Sequence, residues 1–261
     1  MERKLVIFDV DGTITGKQGV PESAVEAIRR IRKNGDIAVM FTGRPYAHTE
    51  NAVLDIGFDA YICTMGAYIR YGDTVVQDIV PSPEITKKVV DLVRACKLDC
   101  CYEYSKGIAF DTTRAPAGPL PFLKKMFGER GLEIDADIDA PGFAFEKVCV
   151  WMNDESDYER FEREIQPDLV RIGKKQNMAE FVAPGISVQE SVKAVIAHFD
   201  IPHENTYSIG DSINDLPFLS CAAHSSCMGQ AGEDLKEKVE YVTDEIYADG
   251  LANAMKHFGL I

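Results

Sequence analysis

The sequence predicts an α/β protein, a parallel-sheet core interrupted by an inserted α+β segment. Three observations lead there. Leu5, Val6, Ile7 and Phe8 form an apolar run without alternation, which suits a strand buried on both faces at the centre of an α/β sheet. Similar runs alternate with helical patterns near the start of the chain and again near its end. Between them the order becomes mixed, as in an insertion built on an antiparallel sheet.

After the opening strand, PESAVEAIRRIRKNG places Val25, Ile28 and Ile31 on one helical face, with Pro21 in front and Gly35 at the end. DIAVMFTGR reads as a second buried strand ending in Thr42-Gly43-Arg44. A helix from about Tyr46 to Ile56, stopped by Gly57, leads to a third strand, AYICT. Strand, helix, strand, helix calls for parallel pairing with right-handed crossovers. AYIRYGDTVVQD then alternates around Gly72-Asp73 as a hairpin, and VPSPE marks a break. Next come a helix from Glu84 to Lys97, strands CCYEY and GIAFDT, and a proline-rich approach to another helix. EKVCVWM, the acidic helix ESDYERFEREI, and strands DLVRIG and MAEFVA complete the insertion. APG is a second break before the helix SVQESVKAVIAHF, and the parallel rhythm resumes at TYSIGDSINDLPFL. The expected division is a core of residues 1–80 and 185–261 with an inserted domain of 81–184.

The chain has 261 residues, 46% of them hydrophobic and 27% charged, ordinary values for a globular protein. Its formal net charge of -14 opposes partners held by phosphate neutralisation, so neither nucleic acid nor an anionic membrane is expected. A small phosphorylated ligand is compatible, because one cation and a few backbone amides act locally. Seven cysteines, with no signal-like segment and no window of membrane-spanning length, point to reduced thiols and a cytoplasmic protein.

KLVIFDVDGTIT raises the chemical question. Asp11-Gly12 alone reads as a turn dipeptide and Asp9 as a helix cap. A carboxylate at the end of a buried strand, however, needs donors or a cation to compensate it. Two such carboxylates repel, so one holds a proton or a cation sits between them. In SIGDSINDL, Asp211 follows another short strand, and Asp215 comes four residues later with Asn214 between. A capped turn explains that stretch by itself. If its strand lies parallel to the first, Asp211 meets Asp9 and Asp11 at the carboxyl ends of the strands, where open α/β sheets bind ligands. Clustered carboxylates there suit a hard divalent cation, magnesium above all.

DVDGTIT, the strand-ending TGR and IGDSINDLPFL resemble motifs one, two and four of the haloacid dehalogenase superfamily, in its Cof-like branch of magnesium-dependent phosphatases. The insertion resembles that branch's class IIB cap on a Rossmann-like core, and the closing MGQAGEDLKEKVEYVTDEIYADGLANAM extends the likeness to nearly the whole chain. The resemblance implies hydrolysis of a small phosphorylated metabolite, such as a sugar phosphate, through an aspartyl-phosphate. Asp9 would be the nucleophile, and Asp11 the group that protonates the leaving oxygen and then activates water. Magnesium (Mg2+) would bind Asp9, Asp211 and the Asp11 backbone carbonyl, with Asp215 in support. Gly12, Thr42, Gly43 and Asn214 would hold the phosphoryl oxygens, and Arg44, near in sequence, would contact phosphate or the leaving group. The cap would close over the site and choose the leaving group.

Three positions depart from the pattern. The family's lysine at the start of the returning helix is Val188 and the glycine after it is Gln189, and the Asn-Gly after its third strand is Met65-Gly66. Lys17, Lys174 and Lys175 are alternative cations, whereas Lys193 turns to another helix face. Phosphotransferases and mutases share the first half-reaction, and a binding protein with impaired turnover would also keep the fold. Cys96, Cys100 and Cys101 match no zinc spacing and read as buried thiols. His48 and His224 have no visible Ser or Cys partner. Trp151, Tyr102 and Tyr104 read as core of the insertion. No G-x-x-x-x-G-K-[ST] or G-x-G-x-x-G run occurs.

Overall fold

A computed structural model describes residues 2–113 and 117–261 of the chain. In chain order it begins β1 (Leu5–Asp9), α1 (Glu22–Lys33), β2 (Ile37–Phe41), α2 (Asn51–Leu54), β3 (Ala60–Cys63), β4 (Tyr68–Tyr71) and β5 (Thr74–Asp78). Then follow α3 (Pro83–Ala95), β6 (Asp99–Tyr104), β7 (Gly107–Phe110), α4 (Leu120–Glu129), β8 (Lys147–Trp151), α5 (Tyr158–Ile165), β9 (Val170–Lys175) and β10 (Met178–Val182). The chain closes with α6 (Val188–His198), β11 (Thr206–Gly210), α7 (Leu216–Leu219), β12 (His224–Cys227), α8 (Glu233–Lys236), β13 (Tyr241–Val242) and α9 (Gly250–His257). It divides into two compact units, one of Met1–Gly43, Thr49–Val76 and Ser187–Ile261, the other of Arg44–His48 and Gln77–Ile186.

The first unit carries an eight-stranded sheet in the order β13-β12-β11-β1-β2-β3-β4-β5. Leu5, Val6, Ile7 and Phe8 have no exposed surface because β1 runs parallel between β11 and β2. The parallel run extends from β13 to β3, and β4 returns antiparallel to β3. Register matters for function: Asp9 lies opposite Phe41 and Phe8 opposite Ile209, so Asp9, Thr42 and Asp211 leave three adjacent strands at the same end. Helix α1 joins β1 to β2, burying Ala24, Ala27, Ile28 and Ile31, with Val25 half-buried. Buried side chains of β1, β2, β3 and α6 share one apolar cluster.

The second unit is built on a five-stranded sheet, β7-β6-β8-β10-β9, whose neighbours all pair antiparallel. Period-two alternation separates its faces. Cys100, Tyr102, Val148, Val150 and Phe181 pack with apolar residues of α3 and α5, whereas Cys101, Phe110 and Cys149 pack with those of α4. Phe161 and Ile165 bury the apolar side of α5 and leave its charges outside. Residues 114–116, in the proline-rich approach to α4, lie outside the described residues. None of the seven cysteines is joined in a disulfide, and no helix among the described residues is long and apolar enough to cross a membrane.

One predicted element is corrected. Instead of a helix from Tyr46 to Ile56, the chain makes a 3-10 turn at Tyr46–His48 and a single helical turn, α2. Glu50 between them is extended, with φ -67° and ψ 143°. The stretch also changes unit there, and His48 and Thr49 are both buried, so tertiary packing overrides the helical pattern.

Candidate active site

Asp9 is the last residue of β1, 7% exposed. Beyond it the chain turns tightly: the Ile14 and Thr15 amides donate to the Val10 carbonyl at 3.0 and 2.9 Å, and the Gly12 amide donates to the Thr15 carbonyl at 2.8 Å. Gly12 sits in the left-handed region, with φ +87°, and a Cβ there would fall 2.0 Å from Asp211 Oδ2. Only glycine lets Asp211 approach this closely.

Asp211 follows the last residue of β11, and the chain then winds around Asp215. The Asp211 and Ser212 amides both donate to Asp215 Oδ2 at 2.9 Å, while Ser212 Oγ accepts from the Asn214 amide at 3.1 Å. This capping box fixes the carboxylate beside Gly210, where a Cβ would meet Asp215 Oδ2 at 2.7 Å. One oxygen each from Asp9, Asp211 and Asp215 all lie within 4.8 Å of one another.

The electrostatics are one-sided. Burial, then the charges of Asp215 and Asp211, push the Asp9 carboxyl well above the usual range. Burial, then Asp215 and Asp11, push Asp211 up to about 6. Burial also raises Asp215, against the two amides that bind it. No basic side chain stands among the groups acting most strongly on these three carboxyls. Asp9 Oδ2 is buried without a hydrogen bond among the described residues. An all-oxygen donor set, a buried oxygen lacking a donor and mutual repulsion together fit a hard divalent cation.

The other sequence-predicted residues fall as follows. Asp11 is exposed, bridges to Thr15 through its backbone, and lies near enough to Asp211 and Asp215 to raise both. Thr42, buried at the end of β2, donates its amide to the Ile62 carbonyl at 2.9 Å. Gly43 follows, with Met65 Sδ 3.3 Å from where its Cβ would be. Asn214 is exposed on the 3-10 turn Ile213–Asp215. Arg44 belongs to the second unit.

Val188 opens α6 after the Ser187 cap and packs against the apolar cluster that Met65 also joins. The Ser191 hydroxyl donates to the Gly66 carbonyl at 3.3 Å, docking the helix start on the turn after β3. Thr64 and Met65 in that turn have φ of 50° and 57°, a strained setting for side chains of their shapes. Lys193 is bound to Glu190 at 2.9 Å, Lys174 stands over the Tyr158 ring at 4.3 Å, and Lys17 is exposed.

Two residues escaped the sequence reading. Gln230 Nε2 donates to the Gly12 carbonyl at 2.6 Å while its Oε1 accepts from the Ile246 amide at 3.1 Å, tying the C-terminal segment to the Asp11-Gly12 turn. Tyr247 accepts from the Gln18 amide at 2.5 Å and donates to the Gly19 carbonyl at 3.4 Å. Neither side chain is of a type that signals chemistry, and only the tail's resemblance pointed to their segment.

Comparison with known proteins accords with this geometry. The family model of haloacid dehalogenase-like hydrolases matches residues 6–255. The chain is 26% identical over 267 residues to the putative phosphatase YkrA of Bacillus subtilis, covering all of both proteins. It is 23% identical to a phosphoglycolate phosphatase of Methanothermobacter thermautotrophicus, covering 98% of each. Among solved structures, the subclass IIB sugar phosphatase BT4131 superposes with a TM-score of 0.75 at 28% identity, covering 99% of this chain and 100% of that one. A hypothetical protein from Geobacillus kaustophilus reaches a TM-score of 0.86 at 21% identity, with 99% and 100% covered, and so shares the fold. With the match running across both units, the chain belongs to the haloacid dehalogenase-like hydrolase family and is an enzyme among relatives named as phosphatases.

Proposed function

We propose that this enzyme is a magnesium-dependent phosphatase that hydrolyses a small phosphorylated metabolite, such as a sugar phosphate, through an aspartyl-phosphate on Asp9. The observation that carries the reading is Asp9 itself: a buried strand-end carboxylate with one oxygen lacking a hydrogen bond, beside two further carboxylates. Magnesium, when bound by Asp9, Asp211 and the Asp11 backbone carbonyl with Asp215 in support, supplies the positive charge that keeps the carboxylates ionised and offsets charge on the phosphoryl group.

Asp9 attacks phosphorus in line, and the ester P–O bond breaks as Asp11 gives its proton to the leaving oxygen. Asp11 then takes a proton from water, the water oxygen bonds to phosphorus, and the bond to Asp9 breaks to release inorganic phosphate. Asp11 is placed for both proton transfers by lying beside the cluster, near enough to act on Asp211 and Asp215. The amides around Asp11-Gly12 and Gly43, the Thr42 hydroxyl and Asn214 hold the phosphoryl oxygens, and Arg44 follows Gly43 directly in sequence. Phosphate-monoester hydrolysis can require accelerations of about 10²¹-fold, which makes preorganised donors around the transferring group essential.

The sugar phosphatase among the structural relatives supports the substrate class. Seven cysteines, none of them in a disulfide, support residence in a reducing compartment such as the cytoplasm. The test is phosphate release from a panel of sugar phosphates and other small phosphate esters, with magnesium or with chelator, against Asp9→Asn. Magnesium-dependent release confined to the wild type is the expected result. No release above Asp9→Asn from any ester would leave a binding protein whose apolar Val188 marks lost turnover.

A further inference from the structure

The five-stranded sheet of the second unit gathers a second set of metal-ligating atoms, chemically unlike the first. Cys101 on β6 pairs directly with Cys149 on β8, and Glu103 lies two residues from Cys101 on the same face. The two sulfurs and a Glu103 oxygen lie within 4.8 Å of one another. Both cysteines are buried, 0% and 3% exposed, and the Cys149 thiol donates to Glu103 Oε1 at 3.5 Å. Glu180, opposite Cys149 on β10, places its Oε1 3.8 Å from the same sulfur.

His48 flanks this group on its Glu103 side, outside the three atoms that lie within 4.8 Å of one another. Its Nε2 lies 3.1 Å from the Gly107 carbonyl, which can only accept, so Nε2 carries the proton and Nδ1 of the neutral ring is left as a lone pair. Nδ1 is 3.9 Å from Glu103 Oε2. Imidazoles that bind metals commonly donate their other N–H to a backbone carbonyl in this way.

We propose that Cys101, Cys149, Glu103 and His48 form a binding site for a soft divalent cation of the zinc type, separate from the oxygen cluster of the first unit. Two thiolates with an imidazole and a carboxylate are a tetrahedral donor set of the kind zinc takes, whereas magnesium prefers oxygen alone. The charge balance permits the exchange. With both thiols protonated, Glu103, Glu180 and Lys147 sum to one negative charge, the Lys147 ammonium lying 2.9 Å from Glu103 Oε2 and 3.1 Å from Glu180 Oε1. When a dication enters, two S–H bonds break, two metal–sulfur bonds form and two protons leave to solvent. The buried net charge is unchanged, and Lys147 keeps Glu180 as its partner.

The experiment uses the full chain with saturating magnesium, so that the oxygen cluster is occupied, and adds one equivalent of zinc or of cobalt(II) as a spectroscopic probe. The expected results are a thiolate-to-cobalt charge-transfer band, retained in Asp9→Asn, and a zinc affinity at least about 100-fold weaker in Cys149→Ser. X-ray absorption at the zinc edge of the wild type should show two sulfur neighbours at about 2.3 Å. A shell of oxygen and nitrogen alone, or a band of undiminished intensity in Cys149→Ser, would overturn the proposal. If Cys149→Ser does not fold, the wild-type absorption edge decides by itself.

Discussion

In the eight-stranded sheet, Asp9, Asp211 and Asp215 gather where burial acts most strongly on each and where the neighbouring charges that act on them are other carboxylates. In the five-stranded sheet, Glu103 and Glu180 gather around the Lys147 ammonium at 2.9 and 3.1 Å. The outcomes are opposite. Burial acts to raise Glu103, but Lys147 outweighs it and the carboxyl is held below its usual range, whereas Asp9 and Asp211 are pushed up. A buried carboxylate with its own cation stays ionised unaided, and one without is poised for a cation or a proton from outside.

The largest expected effect breaks the first cluster. Asp9→Asn should lower phosphatase turnover by at least about 10³-fold, as loss of a nucleophile does, in a phosphate-release assay. The same change removes a repelled charge, so the metal-free protein should melt at a higher temperature than wild type. Lys147→Met should do the reverse. It strands Glu103 and lowers stability by about 3–5 kcal/mol in denaturant unfolding, with partial recovery on adding Glu103→Gln. A Lys147→Met protein as stable as wild type would contradict the contrast.

Smaller changes sharpen it. Gly12→Ala places a methyl group against Asp211 at a backbone conformation that disfavours alanine. The expected loss is about 1–3 kcal/mol of stability together with a smaller melting-temperature gain from magnesium. The pH dependence follows from Asp211, whose folded pKa of about 6 lies above the value near 3.9 of an unfolded chain. The folded state holds this proton more tightly, so its contribution to stability is full below the unfolded value and is lost as pH rises through about 6. The melting-temperature gain from magnesium should therefore grow across that window, and a gain independent of pH would count against Asp211 as a ligand. Gln230→Ala should have the mildest effect, about 0.5–1.5 kcal/mol, through the lost bond to the Gly12 carbonyl.

Much of this organisation was legible in the sequence for a local reason. KLVIFD, DIAVMF and TYSIG are apolar runs whose ends carry the polar residues, so strand placement and the convergence of Asp9, Thr42 and Asp211 follow from one parallel-sheet rule. The helix predicted over Tyr46 to Ile56 failed because His48 and Thr49 are held by packing in different units, which no periodicity records. Gln230 was invisible because its role is a single bond to a distant carbonyl. The cysteines show the same boundary. Cys100 and Cys101 are adjacent in sequence yet face opposite sides of the sheet, and Cys101 finds its partner in Cys149 through strand pairing. Spacing along the chain could argue against a Cys96-Cys100-Cys101 site but had no means of suggesting the pair that the sheet creates.

The central claim is that Asp9 becomes covalently phosphorylated and that the oxygen cluster needs a cation to allow it. The most direct measurement is acid quenching during steady-state turnover of the best substrate, followed by peptide mass spectrometry. The peptide containing Asp9 should gain one phosphoryl group with magnesium present and none with chelator or in Asp9→Asn. Magnesium-dependent phosphate release that continues unimpaired in Asp9→Asn would contradict the account.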